Sequence, residues 1–276
     1  MVVAAFAFAI LGWTVKLASR ELPQAMVVFL RCSLGLLVLL PWLLATRQRV
    51  PRSRHFGGHL ARGLAGMGAM YCFFYAIAHL GLAEALVLNY ALPLFIPIVE
   101  RLWLGERIPR GIGFPLLLGL LGLLLILKPG TSIFQPVALV GALAAVLAAT
   151  AQVGVRGLTR SESISSIVLY FGVISTAVSA IPAALEWVTP AFELWPSLLA
   201  MGGSATFAQL MMTRAYRDAP AARVGPFIYT SVVFGGAIDW LTFGKTPDPW
   251  TAFGSAVIVF SAIMTLRLRP RRAGRG

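Results

Sequence analysis

The sequence predicts an all-α integral membrane protein in which ten transmembrane helices form two five-helix halves, related as an inverted repeat. Hydrophobic residues make up 58% of the 276-residue chain. Charged residues make up only 12%, which is about half the fraction found in soluble domains. Long stretches such as Val137–Gly154 carry no charge, and runs of this length can cross a bilayer. The two halves also resemble each other at a fixed spacing.

Ten hydrophobic spans follow one another along the chain. They are predicted at residues 1–17, 25–45, 60–79, 84–104, 112–128, 136–156, 164–185, 195–215, 221–243 and 250–267. Residues 1–135 would form the first domain, with helices 1–5. Residues 136–276 would form the second domain, with helices 6–10 and a basic tail. No basic leader precedes the first span, so we expect no cleavable signal peptide.

Several distinctive residues of the first half recur 139 positions later. The matched pairs are Gly63 with Gly202, Tyr90 with Tyr229, Phe95 with Phe234, Gly105 with Gly244, and Phe114 with Phe253. A carboxylate recurs as well, because Glu100 falls on Asp239. Each half holds an odd number of predicted spans, so two copies in tandem must have opposite orientations in the membrane. This arrangement is typical of secondary transporters.

The net charge of +13 is distributed in a way that predicts orientation and excludes a nucleic-acid partner. With the N-terminus inside, most basic residues fall in the cytoplasmic loops and tail. They are Arg47, Arg49, Arg52, Arg54, Arg62, Arg101, Arg107, Arg110, Arg156, Arg160, Arg214, Arg217, Arg223, Arg267, Arg269, Arg271, Arg272 and Arg275. By the positive-inside rule both termini are cytoplasmic, in a bacterial-type inner membrane. The tail is also suited to contact anionic lipid.

Cysteine and histidine residues predict no cofactor, metal site or disulfide. Cys32 and Cys72 lie within spans and have no partner at metal-binding spacing. His55, His59 and His79 form no cluster along the sequence. The chain also lacks a phosphate-binding loop, so it cannot be driven directly by ATP.

Five segments of the first half resemble the EamA-type repeat of the drug/metabolite transporter superfamily. They are Leu11–Lys16, Phe29–Arg31, Phe74–Leu80, Leu104–Arg107 and the glycine-rich helix Gly111–Lys128. Pro23, Ala83–Ala85 and Pro93 extend the resemblance. The second half follows the same outline but has Tyr170 in place of Arg31, Val232 in place of Pro93 and Lys245 in place of Glu106.

The resemblance implies a ten-helix carrier that works by alternating access. Carriers of this kind often export amino acids, metabolites or drugs. Since no ATP-binding motif is present, the energy would come from an electrochemical gradient or from solute exchange.

Arg31 is a candidate functional residue because its charge lies inside a predicted span, about two turns into the second one. An arginine inside the hydrocarbon region costs about 3 kcal/mol on insertion scales. It would therefore bind a substrate carboxylate, form a gating ion pair, or be a structural arginine whose side chain reaches the interface. Trp13 is a second candidate for substrate contact, although a position in the interfacial aromatic belt explains it equally well.

Polar and aromatic residues in the middle of spans predict a largely uncharged binding pocket. They are Tyr71, Tyr75, Asn89, Tyr90, Gln152, Tyr170, Thr206, Gln209 and Tyr229. In lipid such groups should face the bundle interior. Any one of them is alternatively a hydrogen-bonding residue between helices. As a set, they suit an amphipathic organic solute better than an inorganic ion.

Glu100 and Asp239 are predicted gating or coupling residues, because the inverted repeat would place them at opposite membrane faces. A carboxylate near a helix C-terminus opposes the helix dipole, so it needs compensation. The alternative is a helix-end carboxylate that is simply neutralised by Arg101, by Arg107 or by a nearby basic loop. Glu106 is predicted to cap the fifth helix or to pair with Arg107 and Arg110.

The sequence therefore predicts a secondary transporter, and not an enzyme, that moves a small organic solute. The solute is an amino acid or amphipathic metabolite, and export is the expected direction. A membrane-embedded enzyme acting on a lipid-linked substrate is an alternative that would need His79, Glu84 and Glu186 to cluster. A channel is another alternative, although no span shows a continuous polar stripe. A homodimer is compatible with the sequence.

Overall fold

A computed structural model describes residues 1–47, 53, 55–80, 82–108, 110–130, 133, 135–244 and 246–267. In these ranges the regular structure is entirely helical. The helices are α1 (Val2–Ala18), α2 (Gln24–Ala45), α3 (Phe56–Leu80), α4 (Leu82–Tyr90), α5 (Leu92–Leu104), α6 (Gly113–Leu127), α7 (Ala138–Leu158), α8 (Ile164–Leu185), α9 (Trp195–Asp218), α10 (Ala221–Val224), α11 (Thr230–Phe243) and α12 (Pro249–Arg267). Arg49, Arg52, Arg54, Lys245 and the tail arginines from Arg269 onward lie outside the described residues.

Seven segments are long and apolar enough to cross a membrane. They are Gln24–Ala45, Phe56–Leu80, Ala83–Leu104, Ala138–Leu158, Ile164–Leu185, Ala221–Thr242 and Pro249–Arg267. Two shorter apolar helices, Val2–Ala18 and Gly113–Leu127, accompany them. The protein is thus an all-helical integral membrane protein. The count of ten spans stays a prediction, because α9 carries Arg214, Arg217 and Asp218 near its end and is not among the seven.

Two spans that the sequence predicts as continuous helices are broken in the structure, at prolines. α4 ends at Tyr90 and α5 begins at Leu92, because Pro93 has no N–H to donate to the Asn89 carbonyl four residues earlier. A 3-10 segment, Gly225–Tyr229, lies between α10 and α11 and contains Pro226 near its start. Both breaks adjoin polar residues inside the bundle.

The helices run alternately between two ends of the bundle, called here the Met1 end, where α1 begins, and the Lys16 end. At the Met1 end a core cluster joins the beginning of α1 to the last turns of α7 and α9 and to α10. At the Lys16 end another cluster joins the end of α1 to the beginnings of α2 and α9 and to the end of α8. Hydrophobic packing therefore joins several helices near each end of the bundle.

Helix contacts within the bundle fall into corresponding pairs. α3 packs on α7, and α1 packs on α9. α2 packs on α9, and α8 packs on α3. α1 also packs on α11, and α7 packs on α5. In addition α2 contacts α8, and α6 contacts α12. The longer helices of one half thus lie mainly against helices of the other half, whereas short α4 and α10 contact mostly their own half.

Small residues let the helix backbones approach closely where α2 crosses α9. A Cβ atom on Gly202 would lie 2.7 Å from the backbone nitrogen of Gly35. The Thr206 hydroxyl donates to the Gly35 carbonyl oxygen over 2.8 Å at the same crossing. Because lipid provides no hydrophobic drive between helices, such close packing and interhelical hydrogen bonding hold the bundle together.

Replacing Gly202 with alanine should destabilise the protein, since the new methyl group would collide with backbone atoms of α2. We expect a loss of about 1–3 kcal/mol in the free energy of unfolding, measured on purified protein in detergent. Gly203→Ala is the matched control, because nothing lies within 4 Å of a Cβ at that position. It should be neutral or slightly stabilising. Equal effects of the two substitutions would contradict this packing.

Candidate functional site

A cavity of about 320 Å³ is lined by residues of α1, α2, α3, α4, α5, α7, α8 and α9 and of the 3-10 segment Gly225–Tyr229. Most of its wall is apolar and includes Phe8, Phe73, Phe74 and Phe171. Its polar lining consists of Arg31, Arg62, Asn89, Tyr90, Gln152 and Gln209. No described residue that lines this cavity is a carboxylate. The site therefore combines apolar walls with two cationic groups and neutral hydrogen-bonding groups.

Arg31 is the eighth residue of α2 and lines the half of the cavity nearer the Lys16 end. Its Nη1 donates to the thioether sulfur of Met70 on α3 over 3.5 Å. A thioether is a weak acceptor, so this contact leaves the guanidinium charge uncompensated. Among the described residues, no carboxylate forms an ion pair with Arg31.

Arg62 is the second cationic group of the cavity. It lies in the second turn of α3, nearer the Met1 end, and is only 3% exposed. Its Nη2 donates to Gln209 Oε1 over 2.9 Å, and its guanidinium carbon lies 3.6 Å from the centre of the Phe171 ring. Nε and Nη1 are buried and have no hydrogen-bond partner within the described part of the chain.

The position of Arg62 corrects the sequence interpretation, which counted this residue among the basic residues of the cytoplasmic loops. The structure buries it inside α3 and against the cavity. The signal was present in the sequence, since Arg62 lies two residues inside the span predicted at 60–79. Because Arg62 lies close in sequence to the basic cluster that ends at Arg54, it was interpreted as part of that loop.

Five of the predicted substrate-binding residues line the cavity: Arg31, Asn89, Tyr90, Gln152 and Gln209. The Tyr90 hydroxyl lies 3.0 Å from the Ser231 hydroxyl of α11. The Tyr216 hydroxyl donates to Gln152 Oε1. Tyr90 and Gln152 are therefore held by neighbours on other helices.

Three of the other predicted residues make packing contacts away from the cavity lining. Thr206 bonds to α2 at the Gly35 crossing. Tyr229 is 1% exposed and packs against Gly119 of α6. Tyr71 packs beside a small cluster that contains Val28 and Met67.

Trp13, Tyr75 and Tyr170 also lie apart from the cavity lining. Trp13 is half-buried, and its Nε1 has no partner among the described residues. Tyr75 is 48% exposed and stacks on His79, with ring centroids 4.1 Å apart. Tyr170 lies near the Met1 end, where its hydroxyl accepts from the Ser53 backbone N–H and its ring stacks on His59.

Glu100 connects the two halves at the Met1 end. It lies near the end of α5, is 3% exposed, and accepts hydrogen bonds from the backbone N–H groups of Ala221 (2.6 Å) and Ala222 (2.8 Å). These N–H groups belong to the first turn of α10, where helical N–H groups lack partners within the helix. The carboxylate is thus compensated by backbone donors rather than by Arg101, which donates to the Gly105 carbonyl oxygen.

A second set of contacts closes the same end. Arg156 of α7 donates through Nη1 to the carbonyl oxygens of Tyr216 (2.9 Å) and Arg217 (3.0 Å) of α9. Arg156 and Arg160 also pair with Glu106. The sequence interpretation expected Glu106 to cap the next helix or to pair with Arg107 and Arg110. Instead, Glu106 ties the loop after α5 to the end of α7.

At the Lys16 end the ionic contacts are more exposed. Lys16 of α1 pairs with Asp239 of α11 at 2.9 Å, with side chains 43% and 38% exposed. Lys128, after α6, pairs with Asp248, before α12. The hydrogen bond from Lys128, together with those from Thr251, lowers the pKa of Asp248 to about 2. Asp248 is therefore charged throughout the physiological pH range, so it is not a group whose protonation could couple to transport.

Metal-binding geometry is not found in the part of the chain that the structure describes. No group of three or more His, Cys, Asp or Glu side chains there could hold a metal ion. Cys32 is buried, Cys72 is half-buried, and both are free thiols. The chemistry of the cavity is thus that of charge, hydrogen bonding and apolar contact.

Comparison with known proteins gives matches over nearly the whole chain. Residues 1–128 and 135–267 each match the model of the EamA-like transporter family. The Pseudopaline exporter CntI of Pseudomonas aeruginosa (strain UCBPP-PA14) is 37% identical over 271 residues, covering 97% of this chain and 95% of that protein. A Riboflavin transporter of Vibrio cholerae is 28% identical and covers 100% of this chain and 94% of that protein.

More distant relatives and a solved structure complete the comparison. An S-adenosylmethionine uptake transporter of Rickettsia prowazekii is 28% identical, covering 88% of this chain and 83% of that protein. A protein chain of known crystal structure superposes with a TM-score of 0.82 at 22% sequence identity, covering 97% of this chain and 99% of that chain. At this low identity the superposition shows that the two chains share a fold.

Proposed function

The chain belongs to the EamA-like transporter family, and we propose that it exports a small organic solute by alternating access through the cavity. Membership of the family confirms the resemblance recognised in the sequence. The chain is accordingly a secondary transporter of a small solute and not an enzyme.

The observation that carries the proposal is the central cavity with seals at the Met1 end. On that side, Glu100 bonds to α10 and Arg156 bonds to the end of α9. The cavity lining continues toward the Lys16 end as far as Val15 and Phe73. This geometry corresponds to a carrier conformation closed on one side, and alternating access requires a second conformation closed on the other.

An inverted repeat is supported by contacts that recur at the spacing of 139 residues. Gly105 ends α5 with φ +67°, and Gly244 ends α11 with φ +66°. The close approach of Gly202 to Gly35 has a counterpart in that of Gly63 to Ile174, where a Cβ on Gly63 would lie 2.7 Å from the isoleucine side chain. The paired helix contacts and the two family-model matches fit the same symmetry.

The family's fold and the ten predicted spans favour an arrangement with both termini in the cytoplasm. Described basic residues at the Met1 end include Arg101, Arg107, Arg160, Arg217 and Arg223, and cytoplasmic loops are enriched in such residues. We therefore place the Met1 end at the cytoplasm of a bacterial-type inner membrane. Exposed apolar side chains such as Leu44 and Leu241 would face lipid, and a homodimer stays a prediction from sequence.

Export is favoured because the more similar relative is named an exporter. That relative is 37% identical, whereas the relatives named for S-adenosylmethionine uptake are 27–28% identical. The solutes in the printed names of the relatives are small organic molecules. A cavity with apolar walls and Arg31 fits a solute that combines an apolar body with an anionic group.

Glu100 and Asp239 would act as the two gates of this carrier. Glu100 ties α5 to α10 at the Met1 end, and Asp239 ties α11 to α1 at the Lys16 end through Lys16. The two contacts are at opposite faces, as the inverted repeat predicts. Opening the Met1 end would require the Glu100 bonds to break, because they join the two halves.

Uptake into proteoliposomes tests the transport activity and the role of Arg31. We expect saturable uptake of labelled amino acids or amphipathic metabolites by the unmodified protein, assayed with and without a pH gradient. Arg31→Gln should lower uptake of anionic or zwitterionic solutes about tenfold or more, since a charge-assisted hydrogen bond is lost. Exposed Arg214, changed to glutamine, is the control. Unchanged kinetics in Arg31→Gln would remove it from the site.

The orientation is tested by replacing Arg47, Arg49, Arg52 and Arg54 together with glutamine. Because positive charge retains loops in the cytoplasm, we expect reporter fusions in this loop to show a mixed orientation. The unmodified chain should give a cytoplasmic signal only. A periplasmic signal from the unmodified chain would invert the proposed topology.

The Glu100 gate is tested by the reactivity of a buried cysteine. In a background without Cys32 and Cys72, a cysteine replaces fully buried Ala4 at the Met1 end. Glu100→Ala leaves two backbone N–H groups without their acceptor, so we expect labelling of this cysteine to accelerate about tenfold or more. Asp218→Asn alters an exposed carboxylate at the same end and should not accelerate labelling. Equal labelling rates in all variants would contradict a gating role for Glu100.

A further inference from the structure

Two arginines lie in one membrane-embedded cavity whose described lining contains no carboxylate. Each arginine inside hydrocarbon costs about 3 kcal/mol on insertion scales, and burial without a counter-charge is expensive in a low-dielectric interior. A structural arginine would be expected to satisfy its donors with backbone carbonyls or carboxylates. Arg156 does so, through two carbonyl oxygens and Glu106.

Arg62 is held in place, but only part of its hydrogen-bonding capacity is used by the described residues. Gln209 accepts one hydrogen bond from Nη2, and Phe171 covers one face of the guanidinium plane. These contacts fix the orientation of the group, while Nε and Nη1 remain buried without a partner among the described residues. A fixed cation with free donors that lines a cavity is suited to bind an anionic oxygen.

The two arginines belong to one cationic region of the cavity. Arg31 contacts Met70 of α3, and Arg62 lies on the same helix. Gln209 and Phe171, which hold Arg62, also line a smaller cavity together with Arg31. Phe73, Phe74 and Gly66 belong to the apolar wall of the larger cavity.

We propose that the transported solute is an organic dianion whose two anionic groups bind Arg31 and Arg62, while its apolar part contacts the phenylalanines of the cavity wall. This inference rests on the proposed transport function and specifies the substrate class of the same site. Two anionic groups would neutralise both cations of the cavity, which no described lining residue does. Gln152 and Asn89 line the same cavity and offer neutral hydrogen bonds to the body of the solute.

Binding to the purified full-length protein tests the dianion directly. The probes are straight-chain dicarboxylates from pentanedioate to decanedioate and their monoamides, titrated by calorimetry in detergent. We expect the dicarboxylate that binds most tightly to bind about tenfold or more tightly than its own monoamide, because the second charge-assisted contact is lost in the amide. Monoamides that bind as tightly as the dicarboxylates would overturn the proposal.

Substitution of Arg62 locates the second anionic site. Arg62→Gln should reduce the affinity for dicarboxylates to that for the monoamides, whereas Arg62→Lys, which keeps the charge and guards against simple misfolding, should retain part of the preference. Exposed Arg214, changed to glutamine, should leave the preference intact. A preference that survives in correctly folded Arg62→Gln would overturn the proposal.

Uptake assays on the same preparations distinguish a failure of the dianion site from a failure of the transport function. In one outcome, dicarboxylates bind preferentially, Arg62→Gln abolishes this preference, and no probe is taken up. This result would support the dianion site and count against the transport function proposed for it. Uptake of neutral or singly charged solutes, with no preference for dicarboxylates in binding or transport, would overturn the dianion site and leave the transporter intact.

Discussion

The cost of unpaired charge in a low-dielectric interior governs the arrangement of the whole bundle. Charged groups inside the membrane are tolerated only where partners are available. The described carboxylate Glu100 obtains its partners from two backbone N–H groups. Arg62 obtains one amide and one aromatic face. In the seal, the Glu100 carboxylate thus has hydrogen-bond partners for both of its oxygens. In the binding site, two guanidinium nitrogens of Arg62 have no partner among the described residues.

The seal and the cavity depend on each other because the same helices form both. α7 carries Gln152 into the cavity and, one turn later, Arg156 into the seal. α9 likewise contributes Gln209 to the cavity and the Tyr216 carbonyl oxygen to the seal. A solute that moves these helices at the cavity would therefore disturb the contacts at the Met1 end. This gives a physical route from binding to opening without any additional element.

The sequence was sufficient for the class of protein, the family and much of the cavity. Uncharged runs of membrane length indicate helices because only helices or closed barrels satisfy backbone groups in lipid. Asn89, Gln152 and Gln209 were predictable as inward-facing residues for a similar reason. Tyr229 and Thr206 show the limit, since the same logic places any polar residue inward but does not decide between a cavity and a packed helix crossing.

Other features required the structure because they depend on contacts between distant residues. Glu100 accepts from a backbone N–H group that lies 121 residues away in the sequence. No pattern of side chains could therefore predict this contact. Arg156 and Arg160, at and just beyond the end of neighbouring α7, pair with Glu106, although Arg107 is its neighbour in sequence. Arg62 was assigned by proximity to a basic loop, whereas its helix carries it into the cavity. Sequence proximity was therefore misleading wherever a charge had its partner on another helix.

The central claim is that the protein alternates between a conformation closed at the Met1 end and one closed at the Lys16 end. Distances between spin labels test it most directly. One pair would replace exposed Arg101 and Arg217 at the Met1 end, and the other exposed His79 and Glu186 at the Lys16 end, so that each pair joins the first half to the second. Without solute, the account predicts a short, narrow distribution at the Met1 end. A transported solute should add a longer distance there and a shorter one at the Lys16 end. Distributions unchanged at both ends by a solute that the protein transports would contradict alternating access.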